Sequence, residues 1–383
     1  MQQAINDCDI IVVGAGLFGS VIAERCSREM GMKVLVLEAR DHIGGNCYTE
    51  DDVDTGINIH RYGPHIFHTS NERVWCYINQ FTEFNGYRHQ CMSKIGKKMY
   101  SMPINLATIN HRLNKSWTPA QAKEFFEGYL QAYANPQNFE EQAMALMGND
   151  LYRAFFREYT IKQWDKDPTE LPASVARRLP VRYNYNTRYY NDRWEGIPVN
   201  GYTPIFQQML DHPNIDVHLN CDYFAVRHMI PRSKTVIYSG PLDKFFDYKH
   251  GKLNWRTCDF KFETFPMEDY QGVTQINYPT LSVPYTRTIE FRHFHPERNY
   301  TKAATVVSFE YSRAAGTEDT PYYPVNTAQD RERYSLYHLE SKRLDNTIIG
   351  GRLGEYMYYD MHQVIAAALT TYEKRIQNGN WIR

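Results

Sequence analysis

The residues best placed to do chemistry begin with three glycines and a carboxylate near the N-terminus. Gly14, Gly16 and Gly19 follow the apolar run Asp9-Ile-Ile-Val-Val in a G-x-G-x-x-G pattern, and Glu38 ends a second apolar run. The first glycine permits a tight turn, the second lets backbone amides approach a pyrophosphate, and the third lets helix pack closely on strand, while the acidic residue bonds a ribose hydroxyl. That is dinucleotide chemistry. A second group is His60, His65 and His68, in Ile57-Asn-Ile-His60-Arg-Tyr62-Gly-Pro64-His65-Ile-Phe67-His68. Carboxylate and cysteine partners at ligand spacing are missing, so the stretch is read as a loop facing a cofactor ring and no metal is expected. A third group, Lys162, Lys166, Arg177 and Arg178, lies among prolines and describes a mobile basic segment able to close on an anion. Finally, Asp360-Met361-His-Gln363 is a capping box, and the helix it opens presents free amides and partial positive charge to whatever lies before it.

These residues need rigid elements behind them. Residues 9–14 read as a buried parallel strand, because the run is short, β-branched and ends on glycine. Phe18, Val21, Ile22, Cys26 and Met30 share one face of a helix that Gly31 ends, and Lys33-Val-Leu-Val-Leu supplies the second strand. From Asn71 to about Gln163 the pattern is helical. Thr118-Pro119-Ala-Gln121 caps a helix to about Tyr133, Asn138-Phe-Glu-Glu141 opens another that Gly148 closes, and Leu151, Phe155 and Tyr159 fall on one face of a third. Thr203-Pro204 caps a short helix. Strands at 215–219 and 235–240 return to the dinucleotide sheet, whereas 257–265, 272–278, 286–293 and 305–312 follow one another with only turns between most of them, which implies an antiparallel sheet. Residues 346–351 form a last strand ending in a glycine pair, and the helix from Asp360 closes the first unit.

Composition narrows the classes. A formal net charge of −1 over 383 residues removes the electrostatic case for nucleic-acid or anionic-membrane binding, and no apolar run approaches a membrane span. Seven cysteines without a C-x-x-C pair describe neither a disulfide framework nor a zinc ribbon, so reduced thiols in a cytoplasmic protein are expected. Thirty tyrosines suit either stacking on nucleobases and sugars or packing in β-structure.

Past Glu38, the sequence Arg40-Asp-His-Ile-Gly44-Gly45-Asn46 resembles the continuation found in flavoproteins with two dinucleotide-binding domains, which favours FAD over NAD. Taken with it, His60-Arg-Tyr-Gly-Pro-His65-Ile-Phe-His68, Tyr159-Thr-Ile-Lys-Gln-Trp164, Arg178-Leu-Pro-Val-Arg182, Pro284-Tyr-Thr-Arg287, Pro321-Tyr-Tyr323-Pro and Gly350-Gly-Arg352-Leu-Gly-Glu-Tyr-Met-Tyr358-Tyr-Asp360 resemble the UDP-galactopyranose mutase family, bacterial type, in order and across nearly the whole chain. The resemblance implies an FAD-dependent isomerase with no net redox, interconverting UDP-galactopyranose and UDP-galactofuranose for cell-surface glycans. In that chemistry N5 of reduced FAD attacks the anomeric carbon.

It also implies roles. Tyr159 and Trp164 embrace the uracil and neighbouring sugar, Arg178 and Arg287 grip the diphosphate, and Tyr189, Tyr323 and Tyr358 contact it. Arg352 lies near the flavin, the His68 backbone beside N5 with His65 in the same loop, and Asp360 and Met361 at the flavin-facing helix start. Phe18, Arg40, Gly45 and Asn46 join the glycines and Glu38 around the cofactor. The implied fold is a discontinuous α/β Rossmann-like FAD-binding domain (1–72, 200–242, 330–383), a helical-bundle insertion (73–163), and a mobile loop with an antiparallel β-sheet substrate domain (164–199, 243–329). A homodimer and a cellular reductant such as NAD(P)H are expected. Two positions depart from the family pattern: Asp165 stands where glycine is common and His89 where asparagine is frequent, and the latter leaves UDP-GalNAc open as a second substrate. The competing expectations are a flavin oxidoreductase of the amine-oxidase type, which would consume an oxidant, and a nucleotide-sugar-binding scaffold.

Overall fold

The computed structural model describes residues 1–176 and 179–379. Its first layer is a five-stranded sheet, every pairing parallel, in the spatial order Thr347–Ile349, Thr235–Tyr238, Ile10–Val13, Val34–Leu37, Ile215–His218. Ile10–Val13 and Val34–Leu37 are buried along their whole length, the pattern of strands covered on both faces. The covering helix Leu17–Met30 ends as its sequence requires, with Gly31 left-handed at φ 67°. Met361–Thr371 packs beside it, and Val364, Ile365, Ala368 and Leu369 join Val21, Ile22 and Phe206 in one apolar core. Thr203–Leu210 forms as expected, but Thr203 does not cap it: its hydroxyl accepts from the Thr49 amide at 2.9 Å and donates to the Thr49 carbonyl, tying the helix to the strand Thr49–Asp51.

The second sheet has seven strands, ordered Tyr323–Pro324, Trp255–Phe265, Thr305–Ala314, Arg287–Glu290, Gln275–Asn277, Cys91–Ile95, Lys98–Met102. Two features differ from expectation. The 71–163 stretch is not helical throughout, because Cys91–Ile95 and Lys98–Met102 form a hairpin turning at Gly96, φ 58°. The sheet is also mixed, since Gln275–Asn277 runs parallel to Cys91–Ile95. Cys91, Ser93, Tyr100 and Met102 are buried in alternation with more exposed neighbours, a period of two that surrounding helical segments obscured.

The helices between residues 106 and 164 pack on the Cys91–Met102 end of this sheet. Thr118 and Gln121 close a reciprocal capping box on Pro119–Ala132. The helix from Asn138 is broken by Gly148 at φ 69°, after which a wider turn over Arg153–Arg157 leads into Glu158–Trp164. Among the described residues no helix is long and apolar enough to cross a membrane.

Candidate active site

A cavity of about 820 Å³ runs from the glycine turn of the parallel sheet to the face of the seven-stranded sheet. At its first end the backbone is drawn tight. Gly14 has φ +98°, and a Cβ on Gly19 would meet the Gly14 carbonyl at 1.9 Å, so Gly19 lies beneath the turn and does not line the cavity. Gly45, φ +56°, crosses Gly16 so closely that a Cβ would sit 3.2 Å from its Cα. The Glu38 carboxylate accepts from the Ala15 amide at 2.8 Å and the Arg40 amide at 2.9 Å, which fixes it at the cavity wall. Arg40 lies over the Tyr62 ring at 4.3 Å and donates through Nη2 to Asn46 at 2.9 Å. Its Nη1 is buried with no partner among the described residues. Bare backbone, a fixed carboxylate and an unsatisfied guanidinium nitrogen suit the sugar and phosphates of a dinucleotide.

At the other end stand the aromatic and cationic groups. Glu158–Trp164 carries Tyr159 and Trp164, and Lys162 bolts that helix to the loop preceding Arg287 by donating to the carbonyls of Tyr278, Val283 at 3.0 Å and Tyr285 at 2.9 Å. Glu158 adds a bond from the Leu281 amide at 2.7 Å. Asp165 is left-handed, φ 54°, which explains why glycine is at home there; its carboxylate lies 3.6 Å from the buried Arg256. Arg256 and Ser312 in turn bond the Gln163 carbonyl at 2.9 and 2.8 Å. The helix bearing Tyr159 and Trp164 is thus tied at both ends, to the sheet and to the loop before Arg287.

Arg287, at the start of its strand, places Nε and Nη2 2.8 and 2.7 Å from one oxygen of Glu310, whose side chain is 1% exposed. Its Nη2 reaches the Tyr323 hydroxyl at 3.5 Å, and Tyr323 stacks on Tyr358 with centroids 5.7 Å apart. Arg352 holds the other flank, donating to the Tyr322 and Pro321 carbonyls, the latter at 2.9 Å. His89 is buried beside Tyr189, ring centroids 5.0 Å apart, with Nδ1 2.9 Å from the Tyr87 hydroxyl, and burial pushes its pKa down to about 3. It is therefore a neutral donor and acceptor, as an asparagine amide would be.

The histidine loop does not converge on one point. His60 stacks on Phe294 at 4.8 Å, and burial holds it neutral; His65, likewise pushed down by burial to about 4, bonds through Nδ1 to the Gly63 carbonyl at 2.8 Å. His68 points elsewhere. Its Nδ1 lies 2.7 Å from Asp192, Tyr190 stacks on its ring at 3.7 Å, and Nε2 faces Asp360 at 4.0 Å. Asp360 opens Met361–Thr371, with its amide bonded to Gln363 Oε1 at 2.9 Å as the capping box predicts.

Most residues expected at the site that fall among the described residues line this one cavity, but Gly19, His60, Lys162 and Lys166 do not: His60 is packed on Phe294, Lys162 is spent on three carbonyls instead of forming a mobile basic segment, and Lys166 pairs with Glu170 at 3.6 Å; Arg177 and Arg178 lie outside the described residues. The sequence left Glu310 and Asp192 unnoticed. A charged residue at a buried position of the apolar strand Thr305–Ala314 was a signal for the first; nothing local marked the second.

A model of the UDP-galactopyranose mutase family matches residues 154–358, and a model of NAD(P)-binding Rossmann-like domains matches 12–81. The chain is 42% identical to a probable UDP-galactopyranose mutase of Klebsiella pneumoniae over 96% of this chain and 94% of that one. It is 40% identical to a dTDP-fucopyranose mutase of Escherichia coli over 97% and 99%. A crystal structure of reduced UDP-galactopyranose mutase shares the fold with a TM-score of 0.73 at 14% identity, covering 97% of this chain and 94% of that one. Amine oxidase B of Rattus norvegicus, by contrast, is 50% identical over only 44 residues, 12% of this chain and 8% of that one. With a dinucleotide-binding layer facing a pocket of arginine, tyrosine and tryptophan, the chain belongs to the UDP-galactopyranose mutase family of isomerases.

Proposed function

We propose that the chain binds FAD and, with the flavin reduced, interconverts UDP-galactopyranose and UDP-galactofuranose. The observation that carries this is the single cavity joining the glycine cradle to the Arg287 and Tyr159 pocket, which lets one ligand react with another end to end. The backbone of Gly14, Gly16 and Gly45 would hold the FAD pyrophosphate, Glu38 a ribose, Arg40 the neighbouring polar groups, and the helix start at Asp360 the far end of the ring system. When bound and reduced, FAD supplies the nucleophile for the anomeric carbon.

The chain's own residues do the rest. Tyr159 and Trp164 sandwich the nucleobase, Arg287 and Arg178 offset charge on the departing diphosphate, and Tyr323 and Tyr358 orient it. His65 and His89 stay uncharged in the cavity, whose cationic side chains among the described residues are Arg40, Arg287, Arg352 and Lys244. The reading carries with it an NAD(P)H-type reductant, a homodimer and a cytoplasmic location. It is tested by incubating purified protein with UDP-galactofuranose with and without dithionite and separating the products by chromatography. Conversion only after reduction is the expected result, and equal activity with oxidised flavin refutes the role given to FAD.

A second reading is a thymidine-linked 6-deoxy sugar. The E. coli relative named for dTDP-fucopyranose spans the chain, and the base end of the cavity is walled by Met102, Pro103, Ile104, Phe155 and Phe156, apolar surface that a thymine methyl would enter. Running UDP-galactofuranose, dTDP-fucofuranose and the furanose form of UDP-GalNAc side by side ranks the three by kcat/KM.

A further inference from the structure

His68 is held with more care than a lining residue needs. It sits on the strand Phe67–Thr69, which pairs with Trp194–Gly196, and the turn into that second strand brings Asp192 against the ring. Asp192 Oδ2 lies 2.7 Å from His68 Nδ1, while Oδ1 accepts from the Ser70 hydroxyl at 2.9 Å, so the carboxylate itself is anchored. Ser70 is fixed in turn by the Arg193 amide at 3.1 Å. Tyr190 covers one face of the imidazole, tilted by 12°, and His362 meets it edge-on at 4.9 Å.

This arrangement settles which nitrogen is free. A carboxylate accepts only, so Nδ1 carries the hydrogen and Nε2 turns toward Asp360 across the cavity. Burial raises the Asp192 carboxyl, but the bonds from His68 and Ser70 outweigh it and hold Asp192 below the usual carboxylate range. The groups facing His68 are Asp192 and Asp360, both acidic, together with His362, which burial keeps neutral, neutral His89, and the Tyr190 phenol. With Nδ1 engaged by Asp192, Nε2 is the nitrogen left to exchange a proton with a group in the cavity.

Ring contraction of a hexose has need of such a group. The O5–C1 bond breaks, the O4–C1 bond forms, and one proton leaves O4 while one arrives at O5, with no net electron change. We propose that His68 and Asp192 form a proton-carrying dyad for this exchange: His68 Nε2 delivers a proton to O5 as the pyranose opens and takes the O4 proton as the furanose closes, while Asp192 is the positioning residue that fixes the tautomer. His68 ends each turnover as it began, and the reverse reaction uses the same steps backward. This rests on the mutase reading above.

The test uses FAD-loaded protein and the isosteric variant Asp192→Asn. The amide keeps the shape of the carboxylate but removes its charge from beside the ring, so the alkaline limb of the kcat–pH profile moves to lower pH by about one unit, and kcat at pH 8 falls roughly tenfold or more. A far-downfield Nδ1–H proton signal in the NMR spectrum of the wild type disappears in the variant. Asp192→Glu restores part of the pH shift, and His68→Gln lowers kcat about a hundredfold or more while keeping bound flavin. An active wild type whose Asp192→Asn variant keeps both profile and downfield signal overturns the dyad alone. A wild type inactive on every sugar nucleotide tried overturns the mutase reading, and the proton-carrying role falls with it.

Discussion

Replacing Glu310 with glutamine separates the cost of holding Arg287 from the use made of it. Glu310 is buried and gives one oxygen to both Nε and Nη2 of Arg287, while its other oxygen lies 3.4 Å from the Thr286 hydroxyl. A glutamine fits the same space and can keep its carbonyl toward Arg287, so geometry survives and only the negative charge is lost. The free protein is left with a partly buried guanidinium, 20% exposed, that nothing neutralises, a loss of about 3 kcal/mol. An unfolding entropy of about 2.1 cal/mol/K per residue over 383 residues is roughly 0.8 kcal/mol/K, so Tm falls by roughly 4 °C. If Arg287 binds the diphosphate, UDP supplies the missing charge when it enters. Recovering about 1.5–3 kcal/mol tightens its Kd by roughly 10- to 100-fold. Scanning fluorimetry with and without UDP, followed by titration calorimetry, measures both quantities. A variant that is destabilised in the free form yet binds UDP no more tightly than wild type refutes the assignment of Arg287 to the diphosphate.

Other consequences are simpler to state. His65 and His89 are pushed down by burial to about 4 and about 3, so the unfolded chain binds protons that the folded one refuses below the ordinary histidine pKa near 6.5. Stability is therefore complete above about pH 6.5 and is lost as pH falls toward 4, at up to about 1.4 kcal/mol per pH unit for each histidine; His89→Asn flattens this slope in urea melts taken across that range, and an unchanged slope excludes His89 as a source. Gly45→Ala adds a Cβ 3.2 Å from the Gly16 Cα at positive φ, and the ratio of flavin to protein absorbance after purification drops severalfold while the far-ultraviolet spectrum is kept. Lys162→Met leaves the carbonyls of residues 278, 283 and 285 without their shared donor, loosening the loop before Arg287; KM for the sugar nucleotide rises about tenfold with flavin content unchanged, and a wild-type KM would dissociate that loop from the site.

What could be read from the sequence was mostly local. The 9–46 unit announces strand, turn, helix and acidic residue in one continuous stretch, and the capping boxes at Thr118 and Asp360 each span a single helical turn. The hairpin over residues 91–102 escaped because its alternation is short and its partner strand, Gln275–Asn277, lies far along the chain. Glu310 and Asp192 escaped for a related reason: an acidic side chain becomes a positioning group only through the residue it meets, and those meetings are made by sheet register. Strand pairing sets Arg287 directly across from Glu310 and brings the turn at Asp192 beside His68. Asp165 was noticed as unusual, but its backbone conformation was needed to say why glycine suits the place.

The parallel sheet has a further bearing on how the protein is made. Its central strand, Ile10–Val13, emerges early from the ribosome with one neighbour, Val34–Leu37, close behind, but its other neighbour is Thr235–Tyr238 and the strand beyond that is Thr347–Ile349. Translation at about 5–20 residues per second leaves one edge of the central strand open for roughly ten seconds or more before its second partner exists. The helix beginning at Met361, which covers the same layer, follows later still. The layer around the glycine turn at residues 14–19 is therefore completed late, only after residues 347–371 have joined the strand begun at Ile10.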